Sequence, residues 1–200
     1  MTYIVGSDTI ASSYLEHLND EDKVLLFAIG ALGEPLRSKV KLQKLLFLVS
    51  NVFEDLGQLL DYEPHLLGPY SETVESVLEE LVSAGLVSRS GSAYNLTVNG
   101  RALFHQLKPR KELVGTIEDF KQFINDLPDE EIMTFVYACY PKYIAESTKW
   151  DELKRSRKDY AANLLRRGKI SFAKAAQIAD MDQDSFAALI EKKGVCWRSQ

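Results

Sequence analysis

The stretch Ser71–Gly100, "SETVESVLEELVSAGLVSRSGSAYNLTVNG", changes its periodicity twice. Val74, Val77, Leu78 and Leu81 recur at i, i+3, i+4 and i+7, so one face of a helix is apolar and has to be buried. Ser71 suits the N-cap of that helix, and Gly85 lets the chain swing out of it. "LVSRS" and "AYNLTV" then flank "GS", the pattern of two short strands joined by a tight turn. "NGRALFHQL" returns to helical spacing, and Gly68–Pro69 marks a turn on the other side.

Further towards the N-terminus, "DEDKVLLFAIGAL" reads as a helix opened by Asp20 and Glu21. "SKVKLQKLLFLVSNVFEDLG" reads as one strongly apolar helix that Gly57 stops. Its run Leu45–Val49, with Val52 and Phe53, covers more than one face and should form the buried centre. Three helices followed by a hairpin is the order of a winged helix. The expected fold is therefore mainly α, with a winged-helix-like domain carrying one β-hairpin over residues 1–106.

Residues 107–150 read as connecting helices. Leu107–Asn125 carries Leu113, Ile117, Phe120 and Ile124 on one face, directed at the core or, alternatively, at a second copy in a homodimer. "DLPDEEIMTFVYACYP" restarts helix with Asp126 as a cap, and solvated Asp129, Glu130 and Glu131 at the positive end of the dipole. Residues 151–200 hold a basic helix, roughly Trp150–Arg167, and then a helix-turn-helix. There Ser171 caps "FAKAAQIA", Asp180–Met181 makes the turn, Asp182 caps "QDSFAALIEKK" and Gly194 ends it. Asp180 tolerates the left-handed backbone that the turn needs. Ala175, Ala176, Ala179, Met181, Phe186 and Leu189 form the expected two-helix core.

Charge is unevenly distributed. The net charge of the 200 residues is -5, yet Lys149–Lys174 holds nine Lys/Arg against three acids, and the chain before it twelve against 22. A basic belt of this kind is either a solvated helix face or a surface for a polyanion. The candidate nucleic-acid contacts are Lys154, Arg155, Arg157, Lys158, Arg166, Arg167, Lys169 and Lys174, with Gln183 and Ser185 as base readers at the start of the last helix. Asp182 and Asp184 occupy the same helix start and handicap groove reading. The helix after Tyr70 carries Glu72, Glu75, Glu79 and Glu80 and no Lys or Arg, which opposes phosphates. Its expected use is protein binding, with His65, Tyr70, Glu72 and Glu75 as candidate partner contacts. "GPYS" can equally be an ordinary turn and cap.

Two resemblances bear on function. "KLQKLLFLVSNVF", "HLLGPYSETVESVLEELVSAGLV" and "YNLTVNG", in that order, resemble the Panacea-type, SocA-like domains of prokaryotic antitoxins and regulators. The resemblance implies a protein-binding or regulatory module often found beside toxins. "LLRRGKISFAKAAQIADMDQDSFAALIEKKGV" resembles small prokaryotic antitoxin-like proteins described as DNA-binding. Gly168, Ser171, Ala175, Ala176, Ala179, Met181, Phe186 and Gly194 carry that likeness.

Catalysis finds no support. His17, His65 and His105 stand singly, and the chain has no HExxH, no GxSxG and no phosphate-cradling glycine loop. No cofactor and no metal are expected. Cys139 and Cys196, far apart and without a CxxC partner, read as free thiols. No run of about 18 apolar residues suits a membrane span, and the start lacks a secretion signal, so a cytoplasmic location is expected. The expected function is a non-catalytic regulator of antitoxin or transcription-regulator type. Its front half would hold a toxin-like protein partner and its C-terminal helix-turn-helix would hold DNA. The alternative is a protein–protein adaptor that binds no nucleic acid; a small-ligand sensor around "HLLGPY" is a third reading.

Overall fold

The computed structural model describes residues 17–195. The readings of the chain's start and of Cys196 lie outside the described residues. The described residues form two compact units, one of 17–62 together with 70–126, the other of 63–69 together with 127–195.

The first unit opens with α1 (Asp20–Gly30), fixed by a capping box in which Asn19 and Asp22 each accept the other's backbone N–H at 2.9 Å. A 3-10 turn, Ala31–Gly33, follows. The expected single helix to Gly57 is two helices, α2 (Lys39–Ser50) and α3 (Glu54–Leu60). Ser50 Oγ and Asn51 Nδ2 donate to the Phe47 carbonyl at 2.8 and 2.7 Å beside the Asn51 N–H at 3.2 Å, and the ladder then tightens as Val52 N–H turns to the Val49 carbonyl at 2.9 Å. Gly57 therefore lies inside α3, and Val52 in the break is exposed rather than central. Leu42, Leu45, Leu46, Phe47 and Val49 are buried as expected.

Then come α4 (Glu72–Ser83), β1 (Val87–Ser90) and β2 (Ala93–Leu96), paired antiparallel from Val87↔Leu96 to Ser90↔Ala93. Leu36 adds one bridge, exchanging both backbone bonds with Tyr94 at 3.0 and 2.8 Å. Thr97 caps α5 (Val98–Phe104). Helix α6 (Lys111–Asn125) starts only after Lys108–Pro109–Arg110. Its Leu113, Ile117 and Ile124 are buried within the unit, so the stripe faces the core and is not a surface for a second copy.

Lys121 carries no signal of its role along the chain. It is fully buried on α6, and its Nζ donates to the carbonyls of Ile29 and Ala31 at 2.7 Å each, where α1 ends. Burial pushes its pKa down to about 8, against a smaller opposing pull from Glu34. Lys41 Nζ caps the other end of α6 through the Asn125 carbonyl at 2.9 Å, and Asn125 Nδ2 donates to the Pro35 carbonyl at 2.8 Å. Buried polar groups thus hold the 31–37 segment, and they place α6 in the first unit rather than in a connector.

Two separated motifs meet here. Gln43, from "KLQKLLF", accepts from the Ser71 N–H and donates to the Ser71 carbonyl, both at 3.0 Å, where "GPYS" enters α4. Ser71 Oγ accepts from Val74 N–H and donates to the Leu60 carbonyl. Both residues are buried. Gln43→Leu leaves two buried backbone groups unpaired and is expected to cost about 2 kcal/mol in urea unfolding.

The second unit contains α7 (Asp129–Cys139), a 3-10 turn Pro141–Ile144, α8 (Trp150–Arg166), α9 (Phe172–Ala179) and α10 (Gln183–Lys192). Asp126 does not cap α7. It closes α6, and Pro128 stands at the α7 cap position without a side-chain bond. Met133, Tyr137 and Leu153 form a core with Ile144, Trp150 and Tyr160 against it. The segment Glu63–Pro69 belongs to this unit. The Leu66 carbonyl accepts the Thr148 N–H at 3.1 Å. Gly68, at φ 86°, lies so close to Tyr137 that a Cβ would sit 3.0 Å from the ring. The described residues are mainly helical with a single two-stranded hairpin, a winged-helix-like arrangement followed by a helical unit.

Candidate nucleic-acid interface

Ser147 organises the entry to α8. Its Oγ accepts from the N–H groups of Lys149 and Trp150 at 3.2 and 3.1 Å and shares a 2.6 Å hydrogen bond with the Tyr137 hydroxyl. Gly168, at φ 64°, lets the chain leave α8. Ser171 then caps α9 through Lys174 N–H at 3.2 Å. Asp180 adopts the expected left-handed conformation, φ 56° and ψ 52°. Asp182 caps α10. Ala175, Ala176, Ile178, Ala179, Phe186 and Ile190 are buried, with Phe172 and Phe186 rings 5.4 Å apart. Ile190 replaces Leu189 as the expected core residue; Leu189 is half-buried because the α10 face is rotated by one position.

The structure separates the nine cations of the belt by what they touch. Arg157 pairs with Asp180, so the basic helix is bonded to the turn of the two-helix unit. Arg167 reaches Glu131 at 3.4 Å, and Asn163 donates to the other oxygen of the same carboxylate at 3.3 Å. Glu131 is therefore buried and paired, not solvated with its neighbours Asp129 and Glu130. Lys174 donates to Gln177 at 2.8 Å and lies 3.9 Å from Cys139 Sγ. Burial raises the Cys139 pKa, partly offset by Lys174. Lys149 pairs with Glu152 at 3.0 Å. Arg166 donates to Asn163 at 3.0 Å, and Lys169 is half-buried.

Lys154, Arg155 and Lys158 remain. All three are exposed, and they make no ion pair or hydrogen bond among the described residues. Their i, i+1, i+4 spacing puts them on one side of α8. The same stretch is pinned to the helix-turn-helix twice, by Arg157–Asp180 and by Lys193–Asp159 at 2.5 Å. Those two pairs also neutralise the acids Asp159 and Asp180 nearby. Sequence reasoning missed Glu131, Asn163, Asp159 and Lys193, whose roles depend on contacts across 32 to 36 positions of chain.

The first turn of α10 offers less than expected. Ser185 hydroxyl donates to Asp182 at 2.6 Å and its N–H donates to the same carboxylate at 2.8 Å. The hydroxyl is thereby committed to the cap, and these bonds, the hydroxyl's first, hold the Asp182 carboxyl below the usual range. Gln183 is exposed, beside exposed Asp184.

The four candidate partner contacts divide between the two units. His65 lies in the second unit, and Tyr70, Glu72 and Glu75 in the first. Glu75 is paired with Lys39 and its other oxygen is buried, so it supports α4 from beneath. Burial raises the Tyr70 pKa, with Glu75 adding to the shift. His65 and Glu72 are exposed.

With this geometry in view, the C-terminal part of the chain can be placed among known proteins. Residues 136–200 match an uncharacterised protein family, UPF0175. The UPF0175 match contains the whole helix-turn-helix and reaches back past Leu164, where the stretch quoted for the antitoxin-like resemblance begins, into α7. That extent makes physical sense, because Tyr137 of α7 shares the core with Leu153, Trp150 and Tyr160 of α8. No curated protein matches the chain. No helix among the described residues is long and apolar enough to cross a membrane.

Proposed function

We propose that the chain is a non-catalytic regulator of antitoxin or transcription-regulator type. Its second unit holds duplex DNA through phosphate contacts from Lys154, Arg155 and Lys158, with Arg166 further along the same helix. The observation that carries this reading is the surplus of unpaired, exposed cations on the one stretch of α8 that two ion pairs tie to the helix-turn-helix. Phosphate contacts of this kind give affinity and orientation with weak sequence discrimination. Gln183 adds what base reading there is. The first unit holds a protein partner, a role supported by its resemblance to SocA-like domains and by the four carboxylates and absent cations of α4.

The test is duplex affinity measured across salt. Replacing Lys154, Arg155 and Lys158 together by Glu is expected to lower the log–log salt slope by about three, close to one per lost phosphate contact. Arg167→Glu serves as the contrast. It sets a carboxylate against buried Glu131, so its expected effect is lower stability. A folded triple variant with the parent slope sinks the phosphate clamp. The adaptor reading is favoured by one specific observation, the internal pairing of Arg157, Arg167 and Lys149. That reading requires no duplex binding at near-physiological salt.

A further inference from the structure

An open groove of 390 Å³ lies in the first unit between α1, α3 and the start of α6. Its floor is apolar, made by Val24, Phe27, Leu56, Leu59, Leu107 and Leu113. A groove of this size with an apolar floor suits a small ligand. Its rim decides which one. Asp20 is paired with Lys23 at 3.4 Å, and Asp55 with Arg110 at 2.8 Å, so both rim carboxylates are already neutralised. Lys108, also on the rim, is exposed and makes no ion pair or hydrogen bond among the described residues. The same rim carries the start of α6, whose N-cap Arg110 supplies no side-chain bond to the first-turn N–H groups. The first turn of α6 already carries a carboxylate of its own, Glu112, so the charged group left over among the lining residues is Lys108, a cation at the end of an apolar trough.

We infer that this groove binds a small apolar monocarboxylate, its alkyl or aryl body on the leucine floor and its carboxylate at Lys108. An organic cation of the same shape would meet Lys108 unfavourably, and a neutral alcohol could accept a hydrogen bond from the ammonium but without the charge that strengthens it.

The experiment uses the full chain, isotope-labelled for two-dimensional NMR, titrated with decanoate, 2-naphthoate, decanol and decylamine. Decanoate or naphthoate is expected to shift the amides of Leu59, Leu107, Lys108 and Leu113, and to bind at least tenfold more tightly than decylamine or decanol. Which acid binds better tells alkyl from aryl bodies. Lys108→Glu, a change at an exposed position, is expected to weaken the acid at least tenfold with the spectrum otherwise retained. Leu59→Trp, which fills the trough, abolishes the shifts. Equal binding of decylamine, shifts centred elsewhere, full affinity in Lys108→Glu, or no shifts at all would each overturn the assignment.

Discussion

Lys121→Met is expected to destabilise the protein by about 2.5 kcal/mol more at pH 10 than at pH 7. The side chain is fully buried and donates to two carbonyls at the end of α1. Removing it strands both acceptors, at about 1–3 kcal/mol each. Its pKa, lowered to about 8 by burial, works in the opposite direction. The unfolded lysine titrates near 10.5. Between about pH 8 and 10.5 the unfolded chain holds the proton and the folded chain does not, so wild-type stability rises with pH through that window. Below pH 8 the folded protein carries the full cost of a buried ammonium, about 3 kcal/mol for a shift of this size. Methionine relieves that cost at pH 7, which masks part of the lost hydrogen bonding. At pH 10 the amine is neutral, still donates to both carbonyls, and the whole loss shows. Urea unfolding of both proteins at the two pH values checks this; parallel stability across pH would mean that Lys121 titrates normally when folded.

Gly100→Ala is expected to cost about 3 kcal/mol, the upper end of what overpacking does. Gly100 is in α5 and is buried. A Cβ there would stand 2.0 Å from the Leu86 carbonyl oxygen. That oxygen belongs to backbone fixed by its own bond from Thr97 N–H at 3.0 Å, so it cannot swing aside as a side-chain tip would. Relief requires α5 to move away from the entry to β1, which disturbs Thr97 as the α5 cap and its contact to the Gly85 carbonyl at 2.6 Å. The midpoint of thermal unfolding reports the effect. Gly85→Ala makes the informative comparison, since Gly85, at φ 69°, has open space where its Cβ would go. Its loss should be the smaller one, due to backbone conformation alone.

Local chemistry was legible wherever neighbours in sequence decide it. Ser71, Thr97, Ser171 and Asp182 all cap as read or as their residue type favours, and Val74, Val77, Leu78 and Leu81 are buried on α4. The hairpin falls where alternation and "GS" put it. Boundaries were less legible. The α2–α3 break lies where Val52 N–H turns to the Val49 carbonyl, with Ser50 and Asn51 side chains bonded back to Phe47 just before it, a choice that apolar periodicity does not record. Asp126 was read as opening a helix and instead closes one, because both roles suit an aspartate two residues before a proline.

The sequence by itself determined the helical fold with its single hairpin, the helix-turn-helix with Asp180 at the turn, and the gathering of positive charge from Lys149 to Lys174, since these depend on side chains a few residues apart. Only the tertiary structure decided which of those cations are spent inside the second unit, on Asp180 and Glu131, and which stand free on α8. It alone buried Lys121 and assigned Glu63–Pro69 and α6 to different units. The physical reason is the same in each case: a charge or a carbonyl takes its partner from whatever folding brings within about 3 Å, and that partner lies tens of positions away along the chain.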